Sequence, residues 1–573
     1  MGANGIYGLS GSGLDIESLV KMGMLNKQNQ YDKMYQNQLL QTWVKEAYNT
    51  VYTDVKAFKE SMSTFKMQSN MSAMQATSSN NDVVSVTANG AAAAMNHKIT
   101  VEQVASNAYL MTANGEKIDR ANTNATNSAY LSDVLYGSNV TTGSDSEGKT
   151  YTIDGTVYKG SDVAISIEVQ DGNDVDSDGN PVTHKVEFTY DQIFNDKKTL
   201  NDLASAFSNS GANIQGGYDT VNDSFSLYNK TSGSDNKIGL QANNDISKNL
   251  LNSLHLASYD AQNNTLGTEA SFETGTMNVA ATGTNAKATI DGKTYESATN
   301  KLSVANVIYN FNGVSAKNAD GTYQASTISV SQDTDKIVDN VKKFVETYNT
   351  LIDSLNTKYR EEKNTDYKPL TKNQEAEMTE SQIDKWNEKA KSGLLYHDSN
   401  IYSIISDMRE ALYTKVDAVD SEYNSMSAIG ITSSTNQGHI TLDEDKLKAA
   451  LTADPDCVYQ LFASDQDSTY IAGSTNKNQA DTYTSKSDYL NTGIANRLYN
   501  AMTTNISTLE SYAGTSKETD DESYLGKLIT NMNTKMSSFQ TLMKSYESKL
   551  YEKYDAMEVA LSKLGTQLSY ITG

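Results

Sequence analysis

Three aspartates at alternating positions, Asp174, Asp176 and Asp178, precede Gly179 and form the segment of this chain most similar to a ligand-binding motif. Their spacing matches the opening of an EF-hand loop, in which oxygen atoms surround a calcium ion. The twelfth position of such a loop must supply a bidentate carboxylate, and here it is Lys185. An alternating strand pattern follows where the motif requires a helix. The segment therefore predicts a solvated acidic hairpin and no metal site.

The remaining candidates for cofactor binding or catalysis have simpler interpretations. Gly11-Ser-Gly13 resembles the start of a dinucleotide-binding loop, but Ile16 replaces the third glycine and no strand precedes it. The single cysteine, Cys457, cannot form an intramolecular disulfide. It lies in a helical pattern with no histidine nearby in sequence, which favours a small packed thiol. The isolated Trp386 is interpreted as a packing anchor.

The distribution of the other reactive residue types also argues against an enzyme. The five histidines are scattered along the chain, and no HExxH, P-loop or GxSxG pattern occurs. Three prolines, and 35 tyrosines beside 11 phenylalanines, favour long helices and solvated surfaces over an oily core. We therefore predict that the chain is not an enzyme, that it has no catalytic, cofactor-binding or metal-binding residues, and that it needs no cofactor.

Charge and hydropathy restrict the partners. The 573 residues carry 47 basic and 71 acidic side chains, a formal net charge of −24, so the basic footprint of a nucleic-acid binder is absent. No apolar run approaches the ~18 residues of a spanning helix, which predicts no membrane insertion. The first 20 residues have neither a basic region nor an apolar stretch typical of a cleaved secretory signal. A cytoplasmic protein and one exported without a cleaved peptide both fit this composition.

The charge is unevenly placed along the chain. Residues 1–66 carry seven lysines and six acidic residues, and residues 525–573 carry six lysines and four acidic residues. The excess of negative charge therefore lies in the middle of the sequence. Near-neutral ends around an acidic centre predict that the ends pack against something, while the centre faces water.

The N-terminal end has a heptad pattern. Apolar residues alternate at spacings of four and three: Val44, Tyr48, Val51, Val55, Phe58, Met62 and Phe65. The preceding segment, 14–40, is helical in composition but has polar residues within its stripe. An ordinary amphipathic helix and a helix of a coiled coil both fit this pattern.

The C-terminal end has the longer heptad pattern. An unbroken alternation runs through Leu525, Ile529, Met532, Met536, Phe539, Met543, Tyr546 and Leu550. Two successive steps of four then interrupt a continuation through Tyr554, Met557, Leu561, Leu564, Leu568 and Ile571. Such a stutter locally unwinds a left-handed supercoil. At ~1.5 Å per residue the segment makes a rod of roughly 70 Å, and we predict that the two terminal helices pair with each other and with neighbouring copies.

Between the ends the hydrophobic period changes to two. Strands are predicted at 83–87, 97–101, 164–169, 224–228 and 326–330, and short helices at 200–207 and 246–254. The pattern is helical again from Asp333 to Leu355, and further helices are predicted at 371–391, 400–413 and 443–463. Helix on both flanks and sheet in the middle indicate nested domains, each built from two separated segments.

The predicted fold class is therefore a multidomain α+β protein, with a coiled-coil leg made by the N- and C-terminal helices, a helical stalk and discontinuous β-rich head domains. Its expected domains are terminal legs at 1–43 and 520–573, a helical stalk at 44–80 and 333–519, an inner β-rich head at 81–135 and 258–332, and an outer β-rich head at 136–257.

Specific segments resemble those of the flagellar filament-capping family, also called the hook-associated protein 2 family. The resemblance rests on segments in a consistent order along the chain: 12–20, 81–90, 97–105, 288–300, 333–352, 367–371, 386–395, 429–432, 442–447 and 495–499. Each segment is weakly specific alone, but together they cover both flanks of the centre. Residues from about 110 to 285 match only loosely.

This resemblance implies a structural cap at the distal tip of the bacterial flagellar filament, which promotes folding and insertion of exported flagellin. It implies a ring-like homo-oligomer, with a pentamer favoured, whose further partners are hook–filament junction proteins and an export chaperone at the C-terminal helix. It also implies an extracellular location reached through the flagellar type III apparatus without a cleaved signal peptide.

Two alternatives remain open at this point. The chain could be another axial component, such as a hook–filament junction protein or a flagellin, although the long central β insertion and the helix from Asp333 to Leu355 favour the cap. It could also be a flagellar-tip adhesin that binds mucin or host glycans through its outer β domains. The acidic, tyrosine-rich centre permits the adhesin without requiring it.

Overall fold

The computed structural model describes residues 15–260, 263–433, 437–464, 486–515 and 521–572. Within these ranges the chain forms two compact units. The first, here called the helical unit, comprises residues up to 73 and from 333 onwards, and the second, the β unit, comprises residues 74–332. The predicted α+β class is confirmed, with long helices at both ends of the described chain.

The secondary-structure elements follow in chain order. Helices α1 to α15 span Ile16–Phe65, Gln68–Met71, Leu131–Leu135, Tyr190–Phe194, Leu200–Ser208, Asp245–Ser253, Thr334–Arg360, Lys372–Ala376, Glu380–Ala390, Ser399–Tyr413, Glu444–Ala453, Cys457–Ala463, Lys486–Asn491, Ile494–Ala513 and Tyr524–Thr572. Strands β1 to β22 span Met74–Ser78, Val84–Ala88, Asn96–Gln103, Tyr109–Thr112, Val140–Asp145, Gly148–Ile153, Thr156–Lys159, Val163–Gln170, His184–Thr189, Ile214–Asp219, Ser224–Asn229, Lys237–Ala242, Leu256–Asp260, Thr265–Glu269, Asn278–Thr282, Ala286–Ile290, Lys293–Ser297, Lys301–Val304, Val307–Phe311, Ser326–Gln332, Ile431–Ser433 and Ile440–Leu442.

Helix α1 runs without interruption for 50 residues. It begins after Asp15, whose carboxylate accepts a hydrogen bond from the backbone N–H of Ser18, one of the donors left unpaired at a helix start. The helix contains no proline and a single glycine, Gly23, so nothing in it breaks the backbone hydrogen bonding. The expected boundary between leg and stalk, at residue 43, therefore falls inside one continuous helix.

The core of the helical unit is built around α7. The carboxylate of Asp333 accepts a hydrogen bond from the backbone N–H of Lys336 and caps this helix. Phe344 then packs edge-on against Phe65 of α1 at 5.4 Å and against Phe462 of α12 at 4.8 Å between ring centroids. Helices α10, α11 and α14, with the first turn of α15, contribute to the same buried cluster.

Two predicted helices are each divided in the structure. The predicted helix at 371–391 consists of α8 and α9, because a new helix starts at Thr379, whose backbone N–H donates to the side-chain oxygen of Gln382 at 2.9 Å. The predicted helix at 443–463 consists of α11 and α12. The break coincides with Pro455, which lacks the backbone N–H that a continuous helix needs.

The β unit contains two hydrophobic cores. One core joins residues from 83–105 and 286–330, and its largest sheet has the strand order β1-β20-β3-β16-β17. The other core uses residues from 108–281, with sheets ordered β10-β11-β4-β13-β14 and β15-β12-β8-β9. The predicted strand runs coincide closely with β2, β3, β8, β11 and β20, and the two predicted short helices with α5 and α6.

The expected limits of the outer head, 136–257, are wrong at both ends. Leu110, Leu131 and Val134 precede residue 136, yet they belong to the core that spans 108–281, as do Phe272 and Ala281. The reason is strand pairing, since β4 lies between β11 and β13 and so places its chain segment in that core. An alternating sequence pattern predicts a strand without indicating which sheet it joins.

Candidate assembly surface

The N-terminal heptad stripe lies inside the helical unit. Six of its seven residues are buried in the main core, and Val44 is half-buried against it: Tyr48, Val51, Val55, Phe58, Met62 and Phe65. Tyr48 packs against Tyr512 of α14 with ring centroids 5.0 Å apart, and Phe58 packs against Tyr348 of α7 at 6.5 Å. The partners of this stripe are therefore other helices of the same chain.

Tyr48 also carries a buried polar contact. Its hydroxyl donates a hydrogen bond to the carboxylate of Asp398 and accepts one from the side-chain amide of Asn400 at 3.2 Å. Burial, reinforced by the hydrogen bond to Asp398, raises the pKa of the Tyr48 phenol above its usual range. The phenol therefore stays neutral and fixes the start of α10 against α1.

The C-terminal stripe becomes more exposed along its length. Leu525, Met536 and Leu550 are buried, and the intervening positions Ile529, Met532, Phe539 and Met543, with Tyr554 beyond them, are half-buried. Tyr546 is exposed, and so are the four residues Met557, Leu561, Leu564 and Leu568. The side chain of Ile571 lies outside the described residues. The periodic pattern is continuous up to Leu550, but its burial is not.

Helices α1 and α15 pack side by side and run antiparallel. Ile16 and Val20 near the start of α1 form a small apolar cluster with Leu550 of α15. About two turns further along α1, Lys27 Nζ lies 5.7 Å from the centre of the Phe539 ring. Tyr31 accepts a hydrogen bond from the side-chain amide of Gln540 at 2.6 Å. These contacts pair the N-terminal half of α1 with the middle of α15.

A glycine permits the close approach of the two helices. A Cβ atom at Gly23 would lie 2.8 Å from a terminal methyl carbon of Leu550, closer than real side chains approach. The absence of a side chain at this position therefore lets Leu550 settle against the backbone of α1. Leu550 is the last buried residue of the stripe among the described residues.

An open groove runs along one side of this helix pair. It encloses about 580 Å³ and is lined from α1 by Val20, Met24 and Tyr31 and from α15 by Met543 and Tyr551, among others. Its rim carries both signs of charge: Glu17, Lys21, Lys544 and Glu547. A groove between two helices packed side by side, with both apolar and charged side chains in its lining, has the shape that receives a further helix.

An ion pair links α1 to the start of α15, where the stripe of α15 leaves the main core. Lys45 of α1 donates to the carboxylate of Asp521, just before α15 begins. Desolvation alone would raise the pKa of Asp521, but hydrogen bonds from Lys45 and Ser523 outweigh it and hold the pKa below its usual value. The carboxylate is therefore charged at neutral pH and links the two helices.

The other candidate residues lie apart from one another. In the acidic hairpin Asp174 contacts His184 at 3.0 Å and Asp176 accepts backbone hydrogen bonds from Asp178 and Asn180. Lys185 belongs to strand β9. Among the described residues no group of three histidine, cysteine or acidic side chains is arranged to hold a metal ion.

Three further sequence candidates have different outcomes. Cys457 is buried, and burial raises the pKa of its thiol to about 12, which disfavours a reactive thiolate. Trp386 donates its indole N–H to the carbonyl oxygen of Lys368 at 2.7 Å and packs against Tyr367. Gly11-Ser-Gly13 lies outside the described residues. Within the described ranges no helix is apolar enough over sufficient length to span a membrane.

The sequence interpretation missed the partners of α15 on α1. Ile16, Val20 and Met24 pack against Leu550, Tyr551 and Tyr554, although the segment 14–40 has too many polar residues to form a convincing stripe. The spacing of four between Ile16, Val20 and Met24 was the available signal, because residues four apart lie on one face of a helix. A single row of this kind is too short to distinguish from chance.

Comparisons with known proteins agree with this arrangement. Residues 12–108 match the family model for the N-terminus of flagellar hook-associated protein 2, and residues 283–566 match the model for its C-terminus. The chain is 24% identical over 569 residues to flagellar hook-associated protein 2 of Halalkalibacterium halodurans, covering 97% of both chains. It is 26% identical over 270 residues to the same protein of Thermotoga maritima, covering 46% of this chain and 37% of that relative.

The solved structures include the D1-D2-D3 domains of the flagellar cap protein FliD from Escherichia coli. That structure has a TM-score of 0.47 and 22% sequence identity, and it covers 85% of this chain and 99% of that chain. The two family models lie on either side of the central β segment, and the full-length relative extends across it. The chain belongs to the flagellar hook-associated protein 2 family.

Proposed function

We propose that this protein is a structural cap at the distal tip of the bacterial flagellar filament. The observation that carries the proposal is a contrast within the helical unit: the core around α7 is fully packed, whereas the α1–α15 pair has an open groove and an exposed apolar stripe. Family membership supports the same role, because solved members are described as flagellar cap proteins.

The exposed end of α15 requires a partner in this proposal. Leu564 and Leu568 are 60% and 62% exposed, and Met557 and Leu561 share their stripe. Monomeric proteins rarely leave such a row of large apolar side chains in water, because each contributes favourable free energy only when it is covered. We infer that neighbouring copies cover the stripe, so that the terminal helices assemble as a coiled coil in a ring-like homo-oligomer.

The chemistry of the helix pair suits an interface with several different neighbours. Two methionines and two tyrosines supply most of the apolar lining of the groove, and the charges on its rim are of both signs. Flexible methionine side chains repack against surfaces of different shape more easily than fixed ion pairs do. Flagellin, hook–filament junction proteins and an export chaperone at the C-terminal helix are the partners that we propose for this surface.

The remaining parts of the proposal concern assembly and location. We infer that the cap promotes folding and insertion of flagellin subunits arriving at the tip, and that it is a pentamer. Export through the flagellar type III apparatus without a cleaved signal peptide would bring it to this extracellular site. The proposed division into leg, stalk and head assigns attachment to the filament to the terminal helices and leaves the β unit to other contacts.

Truncation of α15 after Tyr554 tests the proposal without entering the main core. Removing residues 555–573 deletes the exposed distal part of the stripe, from Met557 onwards, and leaves the Leu550 contact in place. We expect the truncated protein to keep its unfolding midpoint but to lose its oligomer mass by analytical ultracentrifugation and to fail to restore filament growth in a cap-null strain. Normal filament growth with this truncation would contradict the assembly role.

A matched pair of point variants sharpens this test. Leu561→Ser combined with Leu564→Ser removes apolar contacts at the exposed stripe, whereas Lys563→Ser changes an exposed residue in the same turn. We expect the double variant to weaken assembly and Lys563→Ser to leave it unchanged. Equal effects of the two variants would indicate that the stripe has no special role.

Glycan binding through the β unit is a second candidate function, and it is compatible with capping. The observation that favours it is a cluster of solvent-accessible tyrosines on one sheet of that unit, around Tyr109 and Tyr228. Aromatic side chains with one polar end are typical of recognition surfaces.

A further inference from the structure

Three tyrosines form an aromatic row across one face of the sheet β10-β11-β4-β13-β14. Tyr228 on β11 pairs directly with Tyr109 on β4, and Tyr259 on the adjacent strand β13 contacts Tyr109 from the other side. Their ring centroids are 5.9 and 5.4 Å apart, at angles near 80°. The row is continuous over three neighbouring strands.

This row lies on the outward face of the sheet. Leu110 and Leu227, which adjoin Tyr109 and Tyr228 in sequence, are completely buried in the core of residues 108–281. Side chains alternate between the two faces of a strand, so the tyrosines point to the opposite side. Tyr228 is 39% exposed, and Tyr109 and Tyr259, whose rings contact each other, are half-buried.

A pocket of about 450 Å³ opens beside this row. It is lined by Val104, Ala105, Ser106, Asn107, Tyr109 and Tyr228, and none of these side chains is charged. Ser106 pairs with Thr284 through two backbone hydrogen bonds of 3.0 Å, which fixes the wall of the pocket where the chain passes between the two cores of the β unit. The site is therefore preformed by backbone pairing.

Two phenol groups at the pocket are available to a ligand. Across the described residues, the hydroxyls of Tyr109 and Tyr228 make no hydrogen bond, whereas the hydroxyl of Tyr259 donates to Asn264 at 2.8 Å. A phenol that is not engaged in the protein can donate one hydrogen bond and accept others. The pocket thus combines aromatic faces with free hydroxyl groups.

This combination of aromatic faces and free hydroxyl groups favours a sugar over an extended peptide as the ligand. The negative face of an aromatic ring attracts the weakly positive C–H bonds of a sugar ring, and the sugar hydroxyls can pair with the free phenols. An extended peptide is normally held by unpaired backbone groups at a sheet edge. Here β4 and β11 are interior strands whose backbone groups are engaged on both sides.

Charge selects among saccharides. The β unit, residues 74–332, contains 28 acidic and 15 basic residues, a net charge of −13, while the pocket lining is uncharged. A negatively charged sugar would be repelled by this field and would find no cation in the lining. We propose that Tyr109, Tyr228 and the adjoining pocket form a binding site for a neutral saccharide. This site gives a location and a ligand class to the second candidate function, and it does not depend on the capping role.

The site can be tested with the full-length protein on an array of neutral oligosaccharides, their sialylated and sulfated counterparts, and neutral peptides. We expect binding to the neutral oligosaccharides, confirmed in solution by saturation-transfer NMR with the best-bound one. Tyr228→Ala should weaken its binding by roughly tenfold. Tyr228→Phe, which keeps the ring and removes the hydroxyl, should have an intermediate effect.

Tyr130→Ala is the matched control, because Tyr130 is a 44% exposed tyrosine elsewhere in the β unit. It should bind as the unchanged protein does, and all variants should keep the same thermal unfolding midpoint. Several outcomes would overturn the proposal: no saccharide binding, preference for sialylated or sulfated glycans, preference for peptides, or equal binding by the Tyr228→Ala and unchanged proteins. None of them would affect the capping proposal, which is measured by filament growth.

Discussion

The two heptad stripes of this protein have the same spacing and different environments. Residues 44–65 of α1 are enclosed by α7, α10 and α14 of the same chain, whereas the stripe of α15 leaves the core after its first turns and is exposed beyond Tyr554. The difference shows that alternation of four and three residues indicates a buried helical seam without indicating which partner buries it. In α1 the partner is intramolecular; in the distal part of α15 we propose that it is another copy.

The type of side chain varies with this difference in environment. The α1 stripe is made of valine, methionine, phenylalanine and tyrosine, and its aromatic rings pack in edge-on contacts. The distal α15 stripe has leucine and methionine, which bind in many geometries. A fixed core favours shapes that fit one arrangement, and an assembly surface with several neighbours favours side chains that adapt.

The largest expected effect is a difference in the free energy of unfolding between a substitution in the α1 stripe and one in the α15 stripe. Phe65→Ala removes a ring that is 2% exposed and packed against Phe344, and we expect it to lower the free energy of unfolding by about 3–5 kcal/mol. Phe539→Ala removes a half-buried ring and should cost only about 1–2 kcal/mol.

Tryptophan fluorescence during denaturant unfolding measures this difference for the helical unit alone. The chain has two tryptophans, Trp43 and Trp386, and both lie in the helical unit. Equal losses of stability at Phe65 and Phe539 would erase the distinction between the two stripes.

A charged side chain at position 539 tests assembly separately from stability. In Phe539→Asp the new carboxylate would lie near Lys27 Nζ, which now sits 5.7 Å from the ring centre, and could form an ion pair with it. We therefore expect the monomer to unfold at a midpoint close to that of Phe539→Ala, while sedimentation shows a smaller oligomer. A fully unfolded helical unit, seen by circular dichroism, would show that Phe539 belongs to the fixed core after all.

The smallest expected effect concerns the ion pair at the boundary between the two environments. The folded pKa of Asp521 is lowered, so its contribution is present above the unfolded pKa of about 4 and is lost as the pH falls through the folded pKa. Asp521→Asn should therefore reduce stability at pH 7 by less than about 1 kcal/mol, and the difference should vanish in acid. Thermal unfolding at pH 7 and pH 2.5 measures both values, and a deficit that persists in acid would exclude the ion pair as its cause.

Some features of the fold follow directly from local patterns. The heptad stripes at 44–65 and 525–550 and the lack of proline predict the second half of α1 and the first half of α15, and short alternating runs predict strands such as β8 and β11. The division of the helix at 443–463 was foreseeable from Pro455, whose missing N–H ends a helix. These elements depend on interactions between residues that are near one another in sequence.

The amino-acid sequence by itself determined the element types, the nested order of segments and the resemblance to a capping family. Only the tertiary structure decided which side chains are covered, because burial depends on contacts between residues hundreds of positions apart. It paired the polar first half of α1 with α15, through Gly23 and Leu550, and it left Leu564 in water although Leu525 in the same stripe is buried. It also aligned Tyr109, Tyr228 and Tyr259, since strand order, which sequence alternation does not specify, brings three distant tyrosines onto one face.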